Sequence, residues 1–275
     1  MERASSRGYG EGVSSSAVRV ALVQADCSSR EEFDARIDRV LAETEHACEQ
    51  ADFVVLPELW STGAFDLDCA REHAQPLDCE LVSRLSDIAR KRRVWLHGGS
   101  FAERTDAGEF FNCSVLFGAD GSLAGIYRKI HVFGYGGEAA LMSAGDELVV
   151  VDTPLGSTGL ATCYDLRFPE QFRALTSRGA QAFVITSGWP TKRLDAWDVL
   201  VQARAIEDQA WVVACNQVGE QKGVQLGGHS AVVDPIGTVV SRAGADETTL
   251  YATIDPVAVA EWRREFPALR DIVEL

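Results

Sequence analysis

Hydrophobic positions along this chain follow two spacings, and the two alternate. Val18 to Gln24 is a β-branched run fit for a strand. Phe33, Ile37, Val40, Leu41, Thr44 and Cys48 then recur at three- and four-residue steps, which places one apolar face on a helix. Ser28 or Ser29 stands where a cap for that helix belongs. Phe53 to Leu56 is a short apolar strand, Glu80 to Arg92 an amphipathic helix carrying Leu81, Val82, Leu85, Ile88 and Ala89, and Val94 to Leu96 a strand again. Strands are predicted at Phe110 to Phe117 and Leu123 to Tyr127, with Gly108, Asp120-Gly121 and Gly125 as turn residues.

The alternation resumes in the second half. A short apolar run ends at Cys163, and Pro169 to Arg178 reads as a helix closed by Gly179, with proline at a first helical position. Ala182 to Thr186, Leu194 to Glu207 and Trp211 to Asn216 read as strand, helix and strand. His229 to Val233 and Val239 to Ser241 form a hairpin about the turn Asp234 to Gly237, Thr249 to Ile254 is a last strand, and Pro256 opens the final helix. Strand and helix in turn, with antiparallel hairpins added, predict an α/β layered domain. No linker divides residues 17–275. The first sixteen residues, MERASSRGYGEGVSSS, have no apolar period and read as a disordered leader.

Composition narrows the classes. Hydrophobic residues are 46% of the 275, enough for a sizeable core, and a net charge of −15 repels phosphate backbones and anionic membranes. Neither nucleic acid nor a membrane is therefore expected as a partner. No apolar run approaches the roughly 20 residues of a membrane span, and no charged segment followed by an apolar one marks a secretion signal. A cytoplasmic protein is expected. The seven cysteines are scattered and form no C-x-x-C pair, which speaks against a disulfide framework or a zinc site.

Three loops carry candidate chemistry. Cys163 sits at a strand end beside a helix start, where backbone N–H groups and the helix dipole would favour a thiolate and hold an oxyanion. A lone cysteine in an apolar run equally fits core packing. Glu58 follows four apolar residues and a proline, so it needs a partner: it is either a structural ion pair or a general base. Lys129 and His131 lie in YRKIH, ahead of an aromatic, glycine-rich loop holding Phe133, Tyr135 and Glu138. His131 fits a hydrogen-bonded loop histidine better than the base of a Cys/His pair.

Taken together, LPELW around Glu58, YRKIH around Lys129 and CYDLRFPE around Cys163, in that order, resemble the carbon–nitrogen hydrolase or nitrilase superfamily. SGWP, ARAIEDQ, GHSAVVDPIG and FPALRD extend the resemblance from Val18 to Asp271. It implies a four-layer αββα sandwich of two mixed sheets with helices outside, and a homodimer with the helix after Cys163 and the C-terminal segment near the interface. It also implies a catalytic Glu58, Lys129 and Cys163, with Glu138 as a second glutamate and Glu147 as its alternative. Tyr164 would lend a backbone N–H to the oxyanion, and Trp60, Phe133, Tyr135 and Trp189 would wall the pocket. No metal or cofactor is required.

Tyr164-Asp165 after the cysteine resembles the amidase branches rather than the nitrilases, and the branches containing ω-amidase and deaminated glutathione amidase most of all. A thiol amidohydrolase acting on a small aliphatic amide is expected. Nitrile or N-carbamoyl amino acid hydrolysis is the enzymatic alternative, and a catalytically silent interaction module on the same scaffold is the alternative of another class. Arg167 is expected in a structural pair with an acidic neighbour rather than as a carboxylate clamp.

Overall fold

Each half of the chain builds most of one sheet. In the computed structural model, which describes residues 17–273, the first half runs β1 (Val18–Gln24), α1 (Phe33–Ala47), β2 (Phe53–Val55), α2 (Leu67–Glu72), α3 (Glu80–Arg92), β3 (Trp95–Arg104), β4 (Phe110–Phe117) and β5 (Leu123–Arg128). Then follow β6 (Val150–Thr153), β7 (Gly156–Thr162), α4 (Pro169–Ser177), β8 (Ala182–Thr186), α5 (Leu194–Asp208) and β9 (Trp211–Cys215). A short pair, β10 (Glu220–Gln221) and β11 (Val224–Gln225), precedes β12 (Ala231–Val233), β13 (Val239–Arg242), β14 (Thr248–Ile254) and α6 (Val257–Glu265). The expected N-terminal leader lies outside the described residues.

One six-stranded sheet has the order β14-β1-β2-β3-β4-β5 and the other β13-β12-β9-β8-β7-β6. Alternation along the strands sends side chains to opposite faces. In β1, Val20 and Leu22 face the second sheet, meeting Val184, Val213 and Val232, while Ala21 and Val23 pack under Ile37, Val40 and Leu41 of α1 and Leu85 and Ile88 of α3. In β8, Phe183 and Ile185 pack under Phe172 and Leu175 of α4 and Trp197 and Val201 of α5. Each buried leucine or phenylalanine is worth about 1.5–3 kcal/mol, so these three apolar layers hold the four-layer sandwich together. It is the αββα architecture expected from the sequence.

The two sheets share a feature that matters for function. β1, β2 and β3 are parallel, and so are β7, β8 and β9. The segments that follow β2, β7 and β8 meet at one place, where open α/β sheets put ligands.

Local differences from the sequence reading have physical causes. Neither Ser28 nor Ser29 caps α1: the cap position is Glu32, without a side-chain bond, and the Ser28 hydroxyl donates to Asp26 Oδ1 at 2.5 Å. β3 runs on to Arg104 because a bulge between His97 and Ser100 carries the strand through polar and glycine positions that break its apolar pattern. α2 and β6 are additional elements. Gly179 does end its helix, with φ +97° and its N–H on the Thr176 carbonyl at 2.9 Å. Among the described residues no helix is long and apolar enough to cross a membrane.

Candidate active site

Glu58 leaves the end of β2 on a tight turn in which Leu59 takes φ +42°, a strained value for leucine. The carboxylate is 2% exposed. Its Oε1 accepts from Lys129 Nζ and from Asn112 Nδ2, each at 2.8 Å, and its Oε2 accepts the Gly188 N–H at 2.8 Å. A buried carboxylate is tolerable only with such partners. The Glu58 carbonyl is held by Gln217 Nε2 at 2.8 Å. Gly188 has no substitute here, since a Cβ would meet Ala64 Cβ at 2.5 Å and Gln217 Nε2 at 2.6 Å.

Lys129 follows β5, anchored by its N–H on the Asn112 carbonyl at 2.9 Å. Its ammonium also reaches Glu138 Oε2 at 2.8 Å, and that oxygen accepts the Phe133 N–H at 2.7 Å. Asn112 Nδ2 donates to Glu138 Oε1 at 2.8 Å. Burial works against the charged amine, but the carboxylates of Glu138 and Glu58 outweigh it and hold the Lys129 pKa well above the ordinary lysine value. Glu138 is thus the second glutamate of the cluster, whereas Glu147 is exposed.

Cys163 directly follows β7 with φ +47°, a second strained backbone position at the same site. The turn from Cys163 to Arg167 is closed by Thr162 and Asp165 capping each other. Asp165 is fully buried: Oδ2 accepts from Tyr127 Oη at 2.6 Å and the Thr162 N–H at 2.8 Å, and Oδ1 from the His131 N–H at 2.9 Å. The charges of Glu58 and Lys129 act on the thiol. Burial first and the Glu58 carboxylate second push its pKa well up, and Lys129 and Ser187 only partly offset this. This direction is opposite to the resting thiolate expected from the sequence. α4 begins only at Pro169, beyond the capped turn, so its dipole does not act directly on the sulfur.

The thiol opens on a narrow cavity of about 20 Å³ lined by Phe65, Phe133, Tyr164, Arg167, Trp189 and Arg193. Of the expected pocket aromatics, Phe133 and Trp189 are there. Tyr135 is 85% exposed and borders only an outer vestibule. Trp60 is a correction: it is fully buried, bonds the Gly98 carbonyl through Nε1 at 2.9 Å, and packs in the layer beneath α1 and α3. Arg167 is another. Among the described residues it has no acidic partner, and its guanidinium lies over Trp189, 4.8 Å from the ring centroid.

His131 bonds Asp165 Oδ1 and Gln171 Oε1 through Nδ1, each at 2.9 Å, and stacks on Phe168 with ring centroids 3.7 Å apart. It is the hydrogen-bonded loop histidine expected from the sequence. Asn112 and Asp165 are the residues that sequence reasoning missed. Asn112 left one signal, a lone amide inside the apolar strand FFNCSVLF. Among the described residues no cluster of three or more His, Cys, Asp or Glu side chains is arranged to hold a metal ion.

With this geometry in view, comparison with known proteins is direct. The carbon–nitrogen hydrolase family profile matches residues 19–264. The chain is 42% identical to a 2-oxoglutaramate amidase of Paenarthrobacter nicotinovorans, over 92% of its own length and 88% of that protein's. It is 33% identical to the human omega-amidase NIT2, over 92% and 94% of the two chains. Among solved structures it superposes on Saccharomyces cerevisiae Nit3, a member of branch 10 of the nitrilase superfamily, with a TM-score of 0.84 and 31% identity over 91% and 94% of the chains. Matching sequence and fold along nearly its whole length, the chain belongs to the carbon–nitrogen hydrolase family.

Proposed function

We propose that the protein is a thiol amidohydrolase that cleaves the ω-amide of a small dicarboxylic acid through a Cys163 thioester, with Glu58 and Lys129 as its partners. The observation that carries this reading is that the Glu58 carboxylate holds the Lys129 ammonium at 2.8 Å and that the charges of both act on the Cys163 thiol. Burial raises the thiol pKa, so its proton must leave as the sulfur attacks the amide carbonyl carbon. Glu58 takes it. The carbonyl oxygen becomes negative and is met by Lys129 Nζ and the Tyr164 N–H, each such donor being worth roughly 3 kcal/mol. Glu58 returns the proton to nitrogen, the C–N bond breaks, and ammonia leaves. Water then attacks the thioester, Glu58 takes a proton from it, and collapse of the second tetrahedral adduct releases the acid and restores the thiol. Glu138 and Asn112 hold lysine and glutamate in register throughout.

Two observations support an acyl group with a far carboxylate. The P. nicotinovorans and human relatives carry the names 2-oxoglutaramate amidase and omega-amidase. Arg167 and Arg193 bring to the pocket guanidinium groups that no acidic side chain of the described residues neutralises, and a planar fork of this kind suits a carboxylate. An ammonia-release screen tests the reading: ω-amides of dicarboxylic acids should give the highest kcat/KM, ahead of short neutral amides, nitriles and N-carbamoyl amino acids. A nitrile outrunning the amide of the same carbon skeleton by about tenfold would move the protein to the nitrilases.

We further propose a cytoplasmic homodimer. All seven cysteines are free, as a reducing compartment keeps them. Val199 and Ile206, two helical turns apart on α5, are 64% and 54% exposed, and Phe266, Ile272 and Val273 expose a second apolar patch near the C-terminus. A monomer mass in light scattering at micromolar concentration contradicts the dimer, and fractionation of expressing cells checks the compartment.

A further inference from the structure

The cavity at Cys163, about 20 Å³, holds little more than one water-sized probe, which is too small for the acyl chain of a dicarboxylic ω-amide. It opens into an outer vestibule of about 390 Å³, and Phe65, Phe133, Pro190 and Arg193 line both. An acyl group that extends from the cavity into this vestibule passes Arg193. The vestibule adds Lys192 and Lys222, and no aspartate or glutamate lines it, in a chain whose net charge is −15. Lys222 is 3.3 Å from Asp66 Oδ2, but neither Lys192 nor Arg193 has an acidic partner among the described residues. The Arg193 guanidinium instead lies over Phe133 and Tyr135, 5.5 and 5.2 Å from their ring centroids. Ring faces steady a cation without neutralising it. The Arg193 carbonyl accepts Trp189 Nε1 at 2.7 Å, so backbone and side chain tie the inner wall to the rim.

Resting on the ω-amide reading above, we propose that Arg193 is a specificity-determining residue which binds the far carboxylate of the substrate at the junction of cavity and vestibule, with Lys192 and Lys222 drawing the anion in. Arg167 lies deeper, over Trp189 beside the nucleophile, and Arg193 receives the end of the chain that reaches outward. Local positive potential on a negatively charged protein concentrates anionic substrate at this mouth and spares neutral amides. The attraction weakens with salt.

Glutaramate and pentanamide share a carbon chain and differ in the terminal carboxylate, so the ratio of their kcat/KM values reads this subsite. The wild-type ratio should be well above one and fall as salt rises. Arg193→Gln should lower the ratio about tenfold or more, chiefly through KM for glutaramate, and Arg193→Lys should restore part of it. Lys192→Gln with Lys222→Gln should flatten the salt dependence. Thermal unfolding of each variant separates lost binding from lost fold. A wild-type enzyme that prefers glutaramate, with Arg193→Gln keeping that preference, overturns the role of Arg193 and leaves the ω-amide reading standing. A wild-type enzyme with no preference overturns both.

Discussion

Asn112 donates its side-chain amide to Glu58 across 2.8 Å, from the middle of β4 to the turn that leaves β2. The same nitrogen serves Glu138 at 2.8 Å, so one neutral group spaces two buried carboxylates that would otherwise repel. Asn112→Leu keeps the volume and removes both bonds. Both oxygens keep Lys129 but each loses a hydrogen bond to a charged acceptor, worth about 1.5–3 kcal/mol, so the variant should unfold at a clearly lower temperature. It should also lose roughly 10- to 100-fold in kcat, the scale on which an orienting partner of an active-site group acts. Full activity in a folded Asn112→Leu enzyme contradicts this.

His131 is the obvious rival to Glu58 as base, yet its ring is committed to Asp165, Gln171 and Phe168. Glu58→Gln should lower kcat by roughly 10²–10⁴. His131→Ala should cost less than about tenfold and act mainly on stability, by loosening the Asp165 turn. Steady-state kinetics on the two variants decide between them, and the reverse order would require a Cys/His mechanism.

The thiols make stability depend on alkaline pH. Burial raises the pKa of every cysteine in the fold, to about 12 for Cys27 and Cys48. Below the unfolded thiol pKa of about 8.5 both states are protonated and this stabilisation is fully present. Above it the unfolded chain ionises first, so stability is lost as pH rises toward the folded values. A fully buried thiol loses about 1.4 kcal/mol per pH unit in that window. The melting temperature should therefore fall steadily from pH 8.5 to 11, and Cys27→Ala should make the fall shallower. A melting temperature independent of pH over this range contradicts it.

How much of this was legible in the sequence follows from where each signal resides. Strands and helices with clean periodicity, such as β4 and α3, matched residue for residue, because burial of one face is written locally. β3 was cut short where His97 to Ser100 replaced apolar residues, since the partner strands that carry the bulge are remote in sequence. Glu58 and Cys163 stood out because each is a polar residue at the end of an apolar run, and Lys129 only through the order of the three motifs. Asn112 and Asp165 did not, since their roles exist only once β4 meets the Glu58 turn and the cysteine turn meets Tyr127. Trp60 and Trp189 look alike in sequence, each in a loop after a strand, and only packing separates core from pocket. Arg167 escaped for a related reason: nothing in its neighbourhood told that Trp189, rather than a carboxylate, would receive it.

The account turns on a covalent acyl group at Cys163. Wild-type enzyme mixed with a carboxylate-bearing ω-amide and acid-quenched in the steady state should show, by intact-mass spectrometry, one adduct equal to the substrate less ammonia. Peptide mapping should place it on Cys163, and Cys163→Ala should show neither adduct nor turnover while remaining folded. Normal ammonia release by Cys163→Ala, or an adduct on any of the other six cysteines in its place, would contradict the mechanism.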